Sequence, residues 1–286
     1  MKIPGATNRQ LLSSMIYQWF KMKYFKPILL LIPLLTTACE KDDSVIFDNS
    51  GSPLLKQIYR DSVLLWEYAY NDADLIIEEK SKLYYTRHHY DHRNLITSSD
   101  YYYDKNLFSS YAPLADSAFN RKEWVNPENT GKSSSRTYTY NDRNQLIRSS
   151  INSGYTEYTY NADGRISCET FFYEQKKSGF IEYQYDGKGN MIRRSHYWVL
   201  TSGESELATT TEYKFDNHPN PYWVFRCLMI PGINTNINNI TEETYTLFIE
   251  VDQTIDKVQI TRNYYEYNDI GFPVKKNGNV EYRYYQ

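Results

Sequence analysis

Aromatic and polar residues alternate in short bursts along most of this chain, and the bursts share one ending. An aromatic, any residue, a second aromatic and then Asn or Asp recur at Tyr68-Ala69-Tyr70-Asn71, Tyr138-Thr139-Tyr140-Asn141, Tyr158-Thr159-Tyr160-Asn161, Tyr183-Gln184-Tyr185-Asp186, Tyr213-Lys214-Phe215-Asp216 and Tyr265-Glu266-Tyr267-Asn268. Weaker copies end at Tyr90-Asp91 and Tyr103-Asp104. A period of two places Ile181, Tyr183 and Tyr185 on one face of a strand and Glu182 and Gln184 on the other. Three positions after the Asn or Asp stands a residue that tolerates positive φ: Asp74, Asn94, Asn144, Gly164, Gly189 or Gly271. Such a residue closes a short hairpin turn with a bulge. The aliphatics that follow, Leu75-Ile76, Leu95-Ile96, Leu146-Ile147 and Met191-Ile192, open the return strand. Every copy, the one ending at Asp216 included, therefore predicts a hairpin.

Copies lie roughly 20 to 30 residues apart, room for two strands and their turns, so about a dozen or more strands are expected. The expected fold is all-β: a single antiparallel up-and-down meander over residues 53–286. Accumulated twist and the hazard of open edges predict closure into a barrel or a strongly curved sheet. Ser109 to Ser135, with Pro113, Pro127, Gly131 and a serine run, reads as a loop or insertion. The faces opposite the tyrosines carry Glu182 and Gln184, Glu212 and Lys214, and Glu281 and Arg283. A membrane barrel needs an outward apolar band, so a water-soluble sheet is expected, the alternative being a polar lumen with the tyrosines outside. A mean hydropathy of -0.69 supports the soluble reading.

The N-terminus carries a different pattern. From Met22, Lys23 and Lys26 precede an apolar run from Pro27 to Leu35, and Thr36-Thr37-Ala38 precede Cys39. That is the layout of an export signal over residues 22–38, with an apolar run too short to span a bilayer. Residues 1–21 do not fit it and suggest that Met22 is the true start.

Composition sharpens this picture at three points. Thirty tyrosines, with 12 Phe and 5 Trp, suit pleated surfaces. A net charge of -3 lacks the concentrated positive field that nucleic acid requires, so none is expected as a partner. Of 3 cysteines, Cys39 ends the signal, and Cys168 and Cys227 remain for the body, where an oxidising compartment permits their pairing without demanding it.

Leu35-Thr36-Thr37-Ala38-Cys39 resembles a lipoprotein signal, which implies that Cys39 becomes the lipidated first residue; an ordinary signal with an incidental Cys39 is the alternative. Glu40-Lys41-Asp42-Asp43 resembles the acidic export tag of Bacteroidetes surface lipoproteins, so residues 39–52 are read as tag and tether, anchored to the outer membrane and facing outward. The hairpins resemble the YD repeats of large bacterial surface and toxin-shell proteins. Phe215-Asp216-Asn217-His218-Pro219-Asn220-Pro221-Tyr222, Asn238-Asn239-Ile240 and Tyr265-Glu266-Tyr267-Asn268-Asp269-Ile270-Gly271-Phe272-Pro273 are similar to segments of an uncharacterised Bacteroidetes lipoprotein family with a porin-like antiparallel barrel. The resemblance implies a fold and a location, and nothing chemical.

Candidate chemistry is sparse. His88, His89 and His92 with Asp91 form the one histidine cluster, but alternation sends His88 and His89 to opposite faces, so no metal site and no cofactor are expected. Asp72, Asp142, Asp163, Asp186, Asp216 and Asp269 recur at turns, where a carboxylate binds backbone amides. A hydrolase, carbohydrate-active or other, would need two of them flanking a cleft, and no catalytic residue is expected. Trp66, Trp198 and Trp223 are candidates for stacking on sugar rings, against a packing role. The expected function is a non-enzymatic, lipid-anchored envelope protein with a structural role or a glycan or envelope-protein partner; the alternative is that hydrolase.

Overall fold

A computed structural model describes residues 52–103, 124–248 and 257–285. The expected signal, Cys39 and the tether lie outside the described residues, as does the Asp104 end of the weak copy at Tyr103. The strands are β1 (Leu55–Arg60), β2 (Val63–Tyr70), β3 (Ile76–Ser81), β4 (Tyr84–Tyr90), β5 (Ile96–Tyr103) and β6 (Ser134–Tyr140). Then come β7 (Leu146–Ile151), β8 (Gly154–Tyr160), β9 (Ile166–Tyr173), β10 (Lys176–Tyr185), β11 (Met191–Val199) and β12 (Ser205–Pro219). The last are β13 (Asn238–Leu247), β14 (Val258–Arg262), β15 (Tyr265–Tyr267), β16 (Pro273–Lys276) and β17 (Val280–Tyr284). All pairings are antiparallel, in one 17-stranded sheet among the described residues. Each strand from β1 to β13 pairs with the next, β15 continues to β16 and β17, and β17 returns to β1.

Closure is where the expectation needs correction. No ladder joins β14 to β15 among the described residues, so the sheet is not closed into a barrel. At Asn263-Tyr264 the chain changes partners: Asn263 N donates to Thr241 O at 2.8 Å, extending the β13 side, and Asn277 N to Tyr264 O at 2.8 Å, extending the β16 side.

The turn chemistry read from the sequence is present residue by residue. In the first hairpin Asp74 N donates to Asn71 O and Asn71 N to Leu75 O, both at 3.0 Å, and the Asn71 Oδ1 accepts from the Ala73 and Leu75 amides. The same backbone pair recurs at Asp91, Asn141, Asn161, Asp186 and Asn268. Asp74, Asn94, Asn144, Gly164, Gly189 and Gly271 all have positive φ, from 57° to 105°. The register slips just before the second aromatic, at Ala69/Tyr70, His89/Tyr90, Thr139/Tyr140, Thr159/Tyr160, Gln184/Tyr185 and Glu266/Tyr267. That bulge strengthens the local twist at every repeat.

The copy at Asp216 does not make this hairpin. Its third following position is Pro219, whose ring fixes φ negative, and the strand runs straight on to Pro219. Asn220 then caps a 3₁₀ helix, Pro221–Leu228, by accepting from Tyr222 N at 3.1 Å, and a second 3₁₀ helix follows at Ile233–Thr235. The expected loop at 109–135 needs a smaller correction. Its described part holds a four-residue helix, α1 (Pro127–Thr130), and β6 already begins at Ser134.

The 3₁₀ insertion defines the inner face of the sheet. Val224, Phe225 and Cys227 pack with Leu55, Ile58, Tyr68, Leu75, Ile76 and Tyr282. Met229 and Ile230 pack against a second cluster of Leu146, Tyr158, Ile166, Ile181, Tyr183 and Met191. One insertion thus supplies both halves of the sheet with an apolar partner. The repeated aromatics face it, whereas Glu182, Gln184, Glu212, Lys214 and Arg283 are exposed on the other face and Glu281 is half-buried there.

A second repeating contact locks neighbouring hairpins. The fifth residue after each Asn or Asp is buried: Ile76, Ile96 and Leu146 at 0 %, Met191 at 3 % and Ile166 at 6 % exposure. Ile147 and Ile192, which open the return strand beside them, are exposed because they occupy the outward position. The carbonyl of the buried residue accepts the next repeat's second tyrosine hydroxyl: Tyr90 to Ile76, Tyr140 to Ile96, Tyr160 to Leu146 and Tyr185 to Ile166, at 2.7–2.9 Å. Tyr70 to Leu55 and Tyr284 to Pro273 extend the series.

Candidate functional site

The Asn and Asp turns all sit at one end of the sheet, with the insertion stitched beneath them by buried amides. Asn190 Oδ1 accepts from the Ile237 and Asn238 amides at 2.9 Å, and Asn236 Oδ1 from Met191 N at 2.7 Å. At the opposite end the turns are tighter. Both central residues have positive φ at Asp61-Ser62 and Glu174-Gln175, the two-residue geometry that matches strand twist, and Asn277-Gly278, also at positive φ, opens a three-residue connection. Between the insertion and this second end lies a cavity of about 590 Å³, within the usual range for small-molecule sites.

Register builds its wall. Residues directly opposite in an antiparallel ladder share a face, so Lys276, Val280 and Arg60 form one inward row across β16, β17 and β1. Two positions along, Tyr282, Ile58 and Trp66 form the next row across β17, β1 and β2. All six line the cavity, with Tyr68 and Tyr222 beside them. Trp66 and Tyr68 present parallel rings 6.3 Å apart, and Tyr222 meets Tyr282 edge-on at 6.1 Å.

The electrostatics of the cavity are one-sided. Among the described residues that line it, Arg60 and Lys276 are the charged ones, and none is a carboxylate. Burial, opposed by Glu243 and reinforced by Arg60, lowers the Lys276 ammonium below its ordinary pKa. Burial also pushes the Tyr222 phenol up to about 12, so it is a neutral donor at physiological pH. The lining amides are already engaged: Asn277 Oδ1 accepts from Tyr264 N at 2.8 Å, Asn277 Nδ2 donates to Asn263 Oδ1 at 3.2 Å, and Asn279 Nδ2 donates to Asp61 Oδ2 at 3.4 Å.

Of the three sequence candidates only Trp66 lines this cavity. Trp198 lies on β11, its ring 6.3 Å from His196, and Trp223 sits in the insertion beneath the Arg226 guanidinium at 4.8 Å. Arg60, Lys276 and the tyrosine floor were not singled out from sequence. The legible signal was the Asn277-Gly278 pair, a strong hairpin marker, which announces the turn between β16 and β17 but not the register that sets Lys276 opposite Val280.

His88 and His89 face opposite ways, as alternation demands: His88 is 6 % exposed, while His89 lies on the other face 3.4 Å from Asp100. His88 Nδ1 is 2.8 Å from Ser99 Oγ and its Nε2 is 2.9 Å from Glu79 Oε1. This Ser-His-Glu series has the residue types of a hydrolase triad. Ser99, however, is 0 % exposed, also bonds the Tyr138 hydroxyl at 3.0 Å, and lies outside the cavity lining, so no substrate reaches it. A second buried polar group is Glu169, whose Oε1 accepts from the Tyr183 hydroxyl at 2.9 Å; burial pushes its carboxyl up to about 7.

The turn carboxylates serve turns. Asp186 Oδ1 accepts from the Lys188, Gly189 and Asn190 amides at 2.7–2.9 Å. Its pKa is lowered, these bonds outweighing burial. Asp216 binds the His218 and Asn239 amides, and Asp72, Asp142, Asp163 and Asp269 are exposed at the turn end, away from the cavity. Cys168 and Cys227 are free thiols: Cys168 pairs with exposed Thr159 on the outward side, while Cys227 is buried in the insertion, 3.5 Å from the Tyr90 hydroxyl.

No protein-family model and no curated protein matches the chain. Among solved structures it is similar to a porin-like protein from Bacteroides uniformis at 12% identity, covering 81% of this chain and 96% of that one with a TM-score of 0.40. A porin-like protein from Bacteroides vulgatus is similar at 10% identity, covering 82% and 99% with a TM-score of 0.39. A stretch amounting to 10% of the TcdB2-TccC3 chain is similar to 69% of this one, at 13% identity and a TM-score of 0.29. Likenesses this distant carry nothing about residues or activity.

Proposed function

We propose that this chain is a lipid-anchored protein of the outer membrane, facing outward, whose water-soluble sheet binds a saccharide in the cavity walled by Trp66. The observation that carries the reading is Trp66 in an inward row, its ring parallel to Tyr68 within a cavity of about 590 Å³. Flat aromatic faces with polar neighbours suit the apolar faces of sugar rings. The Leu35-Thr36-Thr37-Ala38-Cys39 segment and the Tyr-x-Tyr hairpin repeats support membership of the lipoprotein family that they resemble. Exposed Glu182, Gln184, Glu212 and Lys214 on the outward face support solubility, since lipid contact demands an apolar band there.

The start of β1 and the cavity rim lie at opposite ends of the sheet. Leu55 opens β1 at the Asn/Asp-turn end, where its carbonyl accepts from the Tyr70 hydroxyl. The cavity rim at Arg60 and Asn279 lies at the other end. The hydrolase alternative loses ground because no carboxylate lines the cavity among the described residues.

The test pairs a glycan array with isothermal titration calorimetry on the full chain. Binding that Trp66→Ala abolishes and Trp223→Ala leaves intact supports the proposal. Binding indifferent to Trp66, or none across host and bacterial glycans, overturns it. Loss of metabolic palmitate labelling in Cys39→Ala tests the anchor separately.

A further inference from the structure

One strand of the sheet is bare along its open side. β14 pairs with β13 alone, and all five of its residues are exposed, as in no other strand among the described residues. We infer that two copies of this chain join through it, β14 against β14, antiparallel about a two-fold axis at Ile260. The inference stands apart from the saccharide reading.

Register fixes which backbone groups are open. Leu247 N donates to Lys257 O and Asn263 N to Thr241 O, both at 2.8 Å, so Lys257, Gln259, Thr261 and Asn263 bond toward β13. In an antiparallel pair the residues between them point the other way, which turns the N–H and C=O of Val258, Ile260 and Arg262 to the open side. The next in that series, Tyr264, is engaged: its amide donates to Asn277 Oδ1 and its carbonyl accepts from Asn277 N, both at 2.8 Å. Among the described residues no ladder takes the other three. Natural edges are guarded by proline, a bulge or an inward charge. β14 has none of these: its register with β13 is unbroken, and its one charge, Arg262, is held by Glu242 at 2.8 Å. An unguarded edge is a template for a second strand.

What fits this edge is the edge itself. A two-fold axis at Ile260 sets Ile260 opposite its own copy and Val258 opposite the copy's Arg262, each pair exchanging N–H···O=C bonds in both directions. Thr261 lines the cavity, so alternation turns Gln259 and Thr261 inward, where they face each other across the axis, and Val258, Ile260 and Arg262 outward. Val258 and Ile260, 53 % and 52 % exposed, gain apolar neighbours. A groove of about 430 Å³ opens beside Arg262, bounded by Tyr264, Asn277 and Gly278. Val258 and this groove lie on opposite sides of Ile260 along one edge, so the axis that pairs the strands also carries each copy's Val258 to the other's Arg262, beside the groove. A register centred two residues on would oppose two guanidinium groups, which is unfavourable. A strand pair this short falls below the about 1,200 Å² of a stable complex, so a monomer–dimer equilibrium in the micromolar range is expected.

The experiment follows the full chain by sedimentation equilibrium from dilute to near-millimolar concentration, with amide hydrogen exchange measured at both limits. The mass is expected to rise from one chain to two. In the dimer the amides of Val258, Ile260 and Arg262 should exchange at least about tenfold more slowly, while those of Gln259 and Thr261, already bonded to β13, change little. Ile260→Pro removes an open-side N–H without touching the β13 ladder, and Ile260→Lys opposes two like charges across the axis. Each should keep the chain monomeric at concentrations where wild type is dimeric, with an unchanged circular dichroism spectrum. Ile270→Lys, at an exposed turn of another hairpin, should leave the dimer intact. A chain that stays monomeric throughout overturns the inference and leaves the edge to a strand of another protein. A dimer that survives both Ile260 variants, or that protects other amides and not those three, overturns it as well.

Discussion

At the scale of single residues, the fold depends on positions where one atom has one task. Gly164 has φ of 74° with nothing within 4 Å of the site a Cβ would take, so Gly164→Ala carries only the conformational penalty of the left-handed region. About 1 kcal/mol of destabilisation is expected in urea melts, while Asn94→Gly, which relieves the same strain at φ 64°, should be neutral or slightly stabilising. These positions were legible in sequence because positive φ selects Gly, Asn and Asp, and the hairpin period repeats the selection. Glu169 and His196 were not legible, because burial of a polar side chain depends on what crosses over it. Burial raises Glu169 to about 7, against the pull of Tyr183, Arg194 and Arg136. Burial, aided by Arg194, lowers His196 to about 4. A raised carboxyl makes the folded state the tighter proton binder, so its contribution to stability is full below pH 4.5 and is lost as pH rises through 7. A depressed imidazole does the reverse: its contribution is full above 6.5 and is lost as pH falls toward 4. Between pH 4.5 and 6.5 the two slopes oppose each other, each at most about 1.4 kcal/mol per pH unit. Glu169→Gln removes one of them, so urea midpoints of the variant should fall as pH drops from 6.5 to 4.5 more steeply than those of wild type. Parallel profiles for the two proteins would refute the assignment.

At the scale of the element, each hairpin is held by a buried aliphatic and by the tyrosine rung that crosses to it. Leu146 is 0 % exposed and its carbonyl accepts from Tyr160 at 2.9 Å. Leu146→Ala should cost about 2–5 kcal/mol, through lost transfer energy plus a cavity. Tyr160→Phe deletes only the hydroxyl and should cost about 1 kcal/mol. The measurement is the urea midpoint of each variant, and equal losses would mean that the rung matters as much as the core. Alternation predicted which way Tyr160 faces but not the rung, since a period of two fixes a side and says nothing of a carbonyl on the neighbouring strand. The Asp216 element shows the opposite limit. Phe215-Asp216 matches the repeat to the letter, and Pro219, three positions on, is the single residue that diverts the chain into the 3₁₀ insertion. The contact that builds the cavity wall, β1 with β17, joins residues more than 200 positions apart, such as Ile58 and Tyr282. A hairpin repeat specifies neighbours only, so the wall of the cavity could not be read ahead of the fold.

At the scale of the whole molecule, the tyrosine-lined interior sets a limit at high pH. Burial pushes Tyr160 and Tyr222 up to about 12, and Tyr68, Tyr90, Tyr183 and Tyr282 are raised as well, again chiefly by burial. In the unfolded chain the same phenols ionise near pH 10. The folded state therefore holds more protons than the unfolded state above pH 10, and stability falls as pH rises toward and through the folded-state values. Each such tyrosine contributes up to about 1.4 kcal/mol per pH unit, and because many are buried together, the slopes add. One or two pH units are then enough to exhaust a stability of about 5–15 kcal/mol. Alkaline titration should accordingly show two stages. Solvent-exposed phenols ionise first without change in the strand signal. The buried set then ionises in one steep step that coincides with loss of far-ultraviolet circular dichroism. Absorbance at the phenolate band and ellipticity, followed in the same samples, decide the matter: a smooth phenolate rise completed while the sheet signal persists would mean that the interior admits hydroxide without unfolding.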